Sequence, residues 1–292
     1  MRVLVALLAL LTSHAAAWGS LGHTTVAYLA SSLVSPHTEV FFQALLNNDT
    51  DAYLARVATW ADSYRYTASG RWSAALHYID AEDDPPRSCS VLFDRDCGER
   101  GCVVSAVGNY TKRVVDPSLS LVERIIAAKF IIHNGGQFLG DLHQPLHDEN
   151  LSIGGNGIHV NFSGKATNLH SVWDSAIAEK LVGGYSYVHA QAWAASLKTD
   201  IVSGIYKDHA PTWLLGTKIS EPVETALLWA TEANHLVCTA VLPDGVEAVS
   251  GKELSGEYYE SAVPVVKLQV AKAGVRLAAW LDLIAGSIRT EL

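Results

Sequence analysis

Residues 133–150 read HNGGQFLGDLHQPLHDEN, residues 154–157 GGNG, and residues 168–174 NLHSVWD. His133, Asp141, His143, His147, His159, His170 and Asp174 all stand in this window, and all are of the kinds that ligate a borderline divalent metal such as zinc. His170 and Asp174 are four apart, so on a helix they share a face and can close on one ion. Any one of these groups alone reads as a surface pair or a cap. So many inside an otherwise apolar chain point to a metal site.

Outward from that window the sequence is mostly helical. After Trp18, the residues Val26, Leu29, Ala30 and Leu33 recur at helical spacing, with His23 at the start. Helices are expected over 38–46, over TDAYLARVATWADSYRY (50–66), and over 103–115, 118–133, 171–181, 188–202, 222–242 and 255–288. The last of these has a core stripe of Leu268, Ala271, Val275, Ala278, Leu281 and Ala285, with Pro264 near its first turns. Residues 158–161, flanked by glycines, read as an arm of a short hairpin. No repeat or linker divides the chain, so one all-α domain over 18–292 with a small hairpin is the expected architecture.

Residues 1–17 give a charged start, an apolar run and Ala15, Ala16 and Ala17, which read as a signal peptide cut before Trp18. The run is too short to span a bilayer, so a secreted protein without a membrane span is expected. Residues 1–17 hold one of the 21 basic residues and none of the 30 acidic ones, which leaves 20 against 30 and a formal charge of −10. Such a chain is poorly suited to gripping duplex phosphates over many base pairs. Metal bound in a site would supply positive charge locally.

The four cysteines, Cys89, Cys97, Cys102 and Cys238, suggest two disulfides in an oxidising compartment. Three connectivities are open, and spacing favours Cys97 with Cys102 and Cys89 with Cys238. Sequons at Asn48, Asn109, Asn150 and Asn161 fit a glycoprotein.

With WGSLGH at 18–23, ATWAD ending at Asp62, HYID at 77–80, GDLHQPLHDEN at 140–150 and NLHSVWD in this order, the chain resembles the secreted zinc-dependent single-strand nucleases of the S1/P1 type. The likeness runs from Trp18 through the carboxy-terminal helix. It implies the helical fold shared with zinc-dependent phospholipase C, and three zinc ions in a cleft. One zinc would be held by Asp62, His77, His133 and Asp141. Its neighbour would take the α-amine and carbonyl of Trp18, with His23 and the shared Asp141. His147, His170 and Asp174 would hold the third. The resemblance implies the cysteine pairing given above as well. It also implies cleavage of single-stranded DNA and RNA to 5′-phosphate products by a hydroxide shared between two zincs, with 3′-nucleotidase action on mononucleotides. Arg65 would brace phosphoryl charge. Tyr78 would stack on a base, Asp80 accept from its edge and Asn156 offer an amide; a base reaches that pocket only outside a duplex. A monomer is expected. His143 and His159 read as supporting residues.

The chain departs from the family pattern at one point. Where the family has His-x-x-x-Asp, His133 and Asp141 are separated by four further residues, 134–137 (NGGQ). Four residues turn a helix by about 400° and lengthen it by ~6 Å, so a helical insertion carries His133 one turn away, whereas a loop-out leaves it at the metal. The two glycines favour the loop-out. Two alternatives stand beside the nuclease: phospholipase C chemistry on the same fold, and a zinc-binding member disabled by the insertion.

Overall fold

In the computed structural model, residues 18–136 and 138–288 are described, with only the backbone described between 133 and 139. The expected signal segment, Gln137 and the side chain of His133 lie outside the described residues. Helix α1 (Ser20–Ser31) is buried on nearly every side, with Leu21, Val26, Ala27, Leu29 and Ala30 in the core together with His23, Thr24 and Thr25. It lies between α10 (Tyr187–Val202) and the 31-residue α12 (Glu257–Ser287), which carries Pro264 inside it. At the crossing of α1 and α12 a side chain on Gly274 would stand 2.4 Å from Leu29 Cδ2 and 3.0 Å from Leu29 Cβ, so the two backbones approach only because Gly274 has none. Alanine there is expected to lower stability by about 1–3 kcal/mol despite its better helix propensity. Thermal unfolding of Gly274→Ala should show a midpoint several degrees below wild type.

Local chemistry sets the remaining elements. Helix α2 (Pro36–Leu46) starts with Ser35 accepting from the Thr38 N–H and with proline at its first position, and it stops at Asn47 in the left-handed region. Helix α5 (Val103–Val115) buries Val103, Val107, Tyr110 and Val114, a stripe that packs on α6 (Leu121–Gly136) and α11 (Pro222–Leu236). Strands β1 (His159–Phe162) and β2 (Lys165–Asn168) pair antiparallel, Val160 opposite Thr167. Their turn has positive φ at both Ser163 and Gly164, and the Glu253 carboxylate accepts from both N–H groups. The short helices are α3 (Trp60–Tyr64), α4 (Phe93–Asp96), α7 (Phe138–Asp141), α8 (Leu169–Ser171) and α9 (Ile177–Val182), of which α3, α7 and α8 carry candidate ligands. Among the described residues no helix is long and apolar enough to cross a membrane. Disulfides join Cys89 to Cys238 and Cys97 to Cys102, the expected pairing, and fit an oxidising compartment.

Two expectations fail. The stretch 50–66 is not one helix: turns with i→i+3 bonds, such as Val57 N–H to Leu54 and Trp60 N–H to Val57, run up to α3. Tyr53, Leu54 and Ala55 are buried in succession there, and the chain meets the core through tighter turns. Nor do residues 134–136 loop out. Helix α6 carries their backbone, since its buried approach through Ile131 and Ile132 offers freed N–H groups no better partner than the helix itself.

Candidate metal centre

Six of the expected ligands converge from separate elements. His23 comes from α1, His77 from the end of a 3-10 turn (Arg71–His77), Asp141 from the end of α7, His147 from a second 3-10 turn (Pro145–Asp148), His170 from α8, and Asp174 from a π turn (Val172–Ala176). All six are buried. A π turn is the rarer solution, and it sets Asp174 Oδ2 3.1 Å from His170 Nε2. His147 Nε2 lies 3.6 Å from Asp174 Oδ1, and single ligand atoms of these three residues all fall within 4.8 Å of one another. Zinc bond lengths at tetrahedral angles separate ligand atoms by about 3.4 Å, so the trio fits one ion.

The histidines are aimed by their other nitrogens. His147 Nδ1 bonds the carbonyl of His77 at 2.8 Å, and His170 Nδ1 bonds that of Gly154 at 2.7 Å, which presents both Nε2 atoms to the centre. Gln144, which the sequence reading passed over, donates Nε2 to Asp174 Oδ1 at 2.5 Å and accepts from the Leu146 N–H, so one amide fixes both the carboxylate and the HQPLH turn. Burial pushes the Asp174 carboxyl up, but His170 and His147 outweigh it and hold the group below the usual carboxylate range.

Asp141 is the other focus. It is fully buried, and among the described residues neither of its carboxylate oxygens accepts a hydrogen bond. Three imidazole nitrogens stand near it, His77 Nδ1 at 3.4 Å, His23 Nε2 at 3.8 Å and His147 Nδ1, itself on the His77 carbonyl, at 4.0 Å. Burial, with Asp62 reinforcing it and Arg65 opposing it, pushes this carboxyl well above its ordinary range. A buried carboxylate costs several kcal/mol unless a cation meets it. The imidazoles of His77 and His23 stand near enough to Asp141 to share an ion with it, a donor set that a divalent metal fits. Trp18 is fully buried beside this group: a side chain on Gly140 would stand 3.2 Å from His23 Nδ1 and 3.6 Å from Trp18 Cδ1. The Gly19 N–H bonds the Asp174 carbonyl at 2.6 Å, which ties the start of the described chain to the third ligand segment. A second acidic group, Asp83 with Glu149 and Cys89, does not offer a sulfur ligand because Cys89 is in a disulfide.

The centre opens into a cleft of about 250 Å³ walled by Arg65, His77, Tyr78, Asp80, Ile153 and Asn156. Tyr78 and Asp80 are half-buried, and Arg65 reaches the Tyr66 hydroxyl at 3.1 Å. The Asn156 amide is partly committed, donating Nδ2 to the Ile153 carbonyl at 2.9 Å. Ile153 was not anticipated. It sits at φ 60° within a run of positive φ from Ser152 to Gly155, where a β-branched residue is strained, and it is 76% exposed at the cleft. Asn150 is exposed on the same cleft, whereas Asn109 is exposed on α5; Asn48 and Asn161 are half-buried. His159 is exposed on β1.

Behind the HQPLH turn, His143 is fully buried and its Nε2 lies 2.8 Å from Arg276 Nη1. Arg276 also donates to the Trp213 carbonyl and to Glu232, which Lys272 bonds as well. Burial raises the Glu232 carboxyl, but Arg276 and Lys272 prevail and hold it down at about 2. A depressed carboxyl contributes stability that is present above its unfolded value, near 4.3, and is lost as pH falls toward 2. Glu232→Gln leaves Arg276 buried beside a neutral group. It is expected to cost about 2 kcal/mol near neutrality, below the range for wholly buried pairs because Glu232 is one-third exposed, and to flatten the loss of stability in acid. Denaturant titrations of both proteins from pH 3 to pH 7 measure this.

Comparison with known proteins places residues 18–286 in a match to the family described as S1/P1 Nuclease. The chain is 50% identical over 268 residues to Nuclease S1 of Aspergillus oryzae, covering 92% of each. It is 48% identical over 270 residues to Nuclease P1 of Penicillium citrinum, covering 92% of this chain and 98% of that one. Endonuclease 3 of Arabidopsis thaliana is 31% identical over 98% of this chain and 95% of its own. Among solved structures, the alpha toxin from Clostridium absonum aligns with a TM-score of 0.46 at 14% identity, over 95% of this chain and 65% of that one.

Proposed function

The chain belongs to the S1/P1 nuclease family and is a hydrolase of that kind, and from this premise we propose that it is a secreted endonuclease that uses three zinc ions to cut single-stranded DNA and RNA. The products are 5′-phosphates, and 3′-mononucleotides lose their phosphate at the same centre. The observation that carries the reading is the buried set around Asp141 and Asp174, lying at the floor of a cleft with an aromatic wall.

Asp62, His77 and Asp141 would hold one zinc, a set that the helical course of residues 134–136 leaves without His133, and Trp18 with His23 and Asp141 the next. His147, His170 and Asp174 would hold the third. Bound zinc supplies Lewis acidity at phosphoryl oxygens and brings the pKa of water down to about 7. The chain's own groups do the rest. Arg65, at the cleft wall, offers its guanidinium to the phosphoryl oxygens, where negative charge grows during displacement. Tyr78 supplies a ring for one base, Ile153 an apolar surface close by, and Asp80 an acceptor for a ring amine. A base inside a duplex cannot lie on Tyr78, so only an unstacked nucleotide presents its phosphate to the metals. Recognition of one unstacked nucleotide also explains how a chain of formal charge −10 from Trp18 onward acts on a polyanion without a long basic track.

The test is release of 5′-mononucleotides from denatured DNA by protein beginning at Trp18, in zinc at mildly acidic pH, beside a variant lacking residues 134–137 and with a choline phospholipid as parallel substrate. The expected result is nucleotide release with three zincs per chain, the deletion variant being at least as active. Two or fewer zincs, with no nucleotide from either protein, would overturn the reading. Cleavage of the phospholipid alone would transfer it to phospholipase chemistry.

A further inference from the structure

The loop closed by Cys97 and Cys102 carries an arginine with no part in the centre described above. Arg100 is exposed and, among the described residues, makes no hydrogen bond or ion pair. Its neighbours in the same region are committed: Arg87 is paired with Asp84 and Arg95 with Asp96.

This loop is fastened at both ends to the segment that bears the base wall. At one end Asp96 accepts from the Glu82 N–H at 3.2 Å and from the Leu92 N–H at 2.7 Å. At the other, the Val103 N–H donates to the carbonyl of Tyr78 itself at 3.0 Å. The disulfide spans five residues between these anchors, so Arg100 is held beside Tyr78 rather than on a free tether.

A second cavity of about 440 Å³ lies there, lined by Tyr78, Asp80, Glu99, Arg100 and Gly101 among others. Tyr78 and Asp80 also line the metal cleft, so the two cavities share one wall. Burial and then Asp80 push the Tyr78 hydroxyl up, while Arg100 and Arg65 act against them. Of the acids nearby, Asp96 is already bound to Arg95, Glu99 is exposed to water, and Asp80 is half-buried in the wall shared with the metal cleft.

A strand whose base lies on Tyr78 has to continue past that ring, and the cavity beyond it holds a guanidinium whose donors are uncommitted. We propose that Arg100 binds the phosphodiester of the nucleotide next to the one held at Tyr78, forming a subsite that favours chains over mononucleotides. The subsite rests on the single-strand nuclease reading above. A planar guanidinium suits two phosphate oxygens at once, and the fixed loop reduces the ordering needed to bring it there. A mononucleotide has no neighbouring phosphate and cannot use it.

The experiment compares wild type with Arg100→Ala and Arg100→Glu, with zinc present, on a single-stranded hexathymidylate and on a 3′-mononucleotide, over a range of salt. The alanine variant is expected to lower the ratio of hexamer to mononucleotide kcat/KM by about three- to tenfold, mainly through KM, and glutamate by more. The slope of log kcat/KM against log salt for the hexamer should fall by about 0.7, the loss of one phosphate contact on a single strand. A ratio within twofold of wild type, with an unchanged slope, overturns the subsite while leaving the nuclease reading intact. Equal losses on both substrates also overturn it, since they place Arg100 at the reacting phosphate. A wild-type protein that neither cleaves nor binds the hexamer overturns both readings together.

Discussion

Asp141→Asn is expected to reduce cleavage of denatured DNA by at least about 10³-fold and to lower zinc content below three per chain. Asparagine keeps the size of the side chain and removes only its charge, so a residue needed for packing alone would tolerate it. Asp141 is fully buried, accepts no hydrogen bond among the described residues and faces His23, His77 and His147 at 3.4–4.0 Å. The same substitution should act in the opposite direction on metal-free protein. The Asp141 carboxyl is pushed well above its ordinary value by burial and by Asp62. A raised carboxyl binds its proton more tightly folded than unfolded, so its contribution to stability is greatest in acid and is lost as pH rises through the folded value. Near neutrality, metal-free Asp141→Asn should therefore melt above metal-free wild type, and wild type should overtake it when zinc is added. Melting curves with chelator and with zinc check both signs. A variant less stable than wild type in chelator would show that Asp141 is a structural acid rather than a ligand.

Leaving Ala17 attached to Trp18 is expected to lower activity by at least about 10²-fold and to cost one zinc per chain. A chain beginning at Trp18 ends in a primary amine with an unperturbed pKa near 8 and a lone pair for a metal; one further peptide bond turns that nitrogen into an amide, which has none to give. The site leaves little room for compensation. Trp18 is fully buried, a side chain on Gly22 would stand 2.8 Å from its Cβ, and Gly19 is tied to the Asp174 carbonyl. Proteins with each amino terminus, verified by mass and compared for zinc and turnover, settle the point. Equal zinc and equal turnover would remove Trp18 from the ligand set.

The parts of the centre that the sequence announces are those held together by short-range spacing. His170 and Asp174, four apart, do meet, and the HQPLH turn does present His147 to them. Regular helices with a single apolar stripe, such as α5, were legible for the same reason. What escaped depends on long-range packing. Gln144 becomes a brace only because the chain brings Asp174, thirty residues later, to its amide. Arg276 reaches His143 across a separation of 133 residues. Ile153 gave no sign of lining the cleft, because an isoleucine in the left-handed region contradicts its own propensity and is held there by its surroundings. The turns before α3 carry apolar residues at the spacing of a helix, and only the i→i+3 bonding of the folded chain distinguishes them from one. In the insertion, glycine content pointed to a loop, whereas the backbone continues as helix through Gly136.

The packing of α1 against α12 also determines when the centre comes into being. His23 is on the first helix of the described chain, and its place is fixed where Leu29 meets Gly274, 245 positions further along. During synthesis the earliest ligands therefore emerge long before the surface that seats them. A nascent chain has its last ligand, Asp174, in hand well before α12 begins at Glu257, so the full set of ligands stays unseated until the carboxy-terminal helix has been made and has folded back.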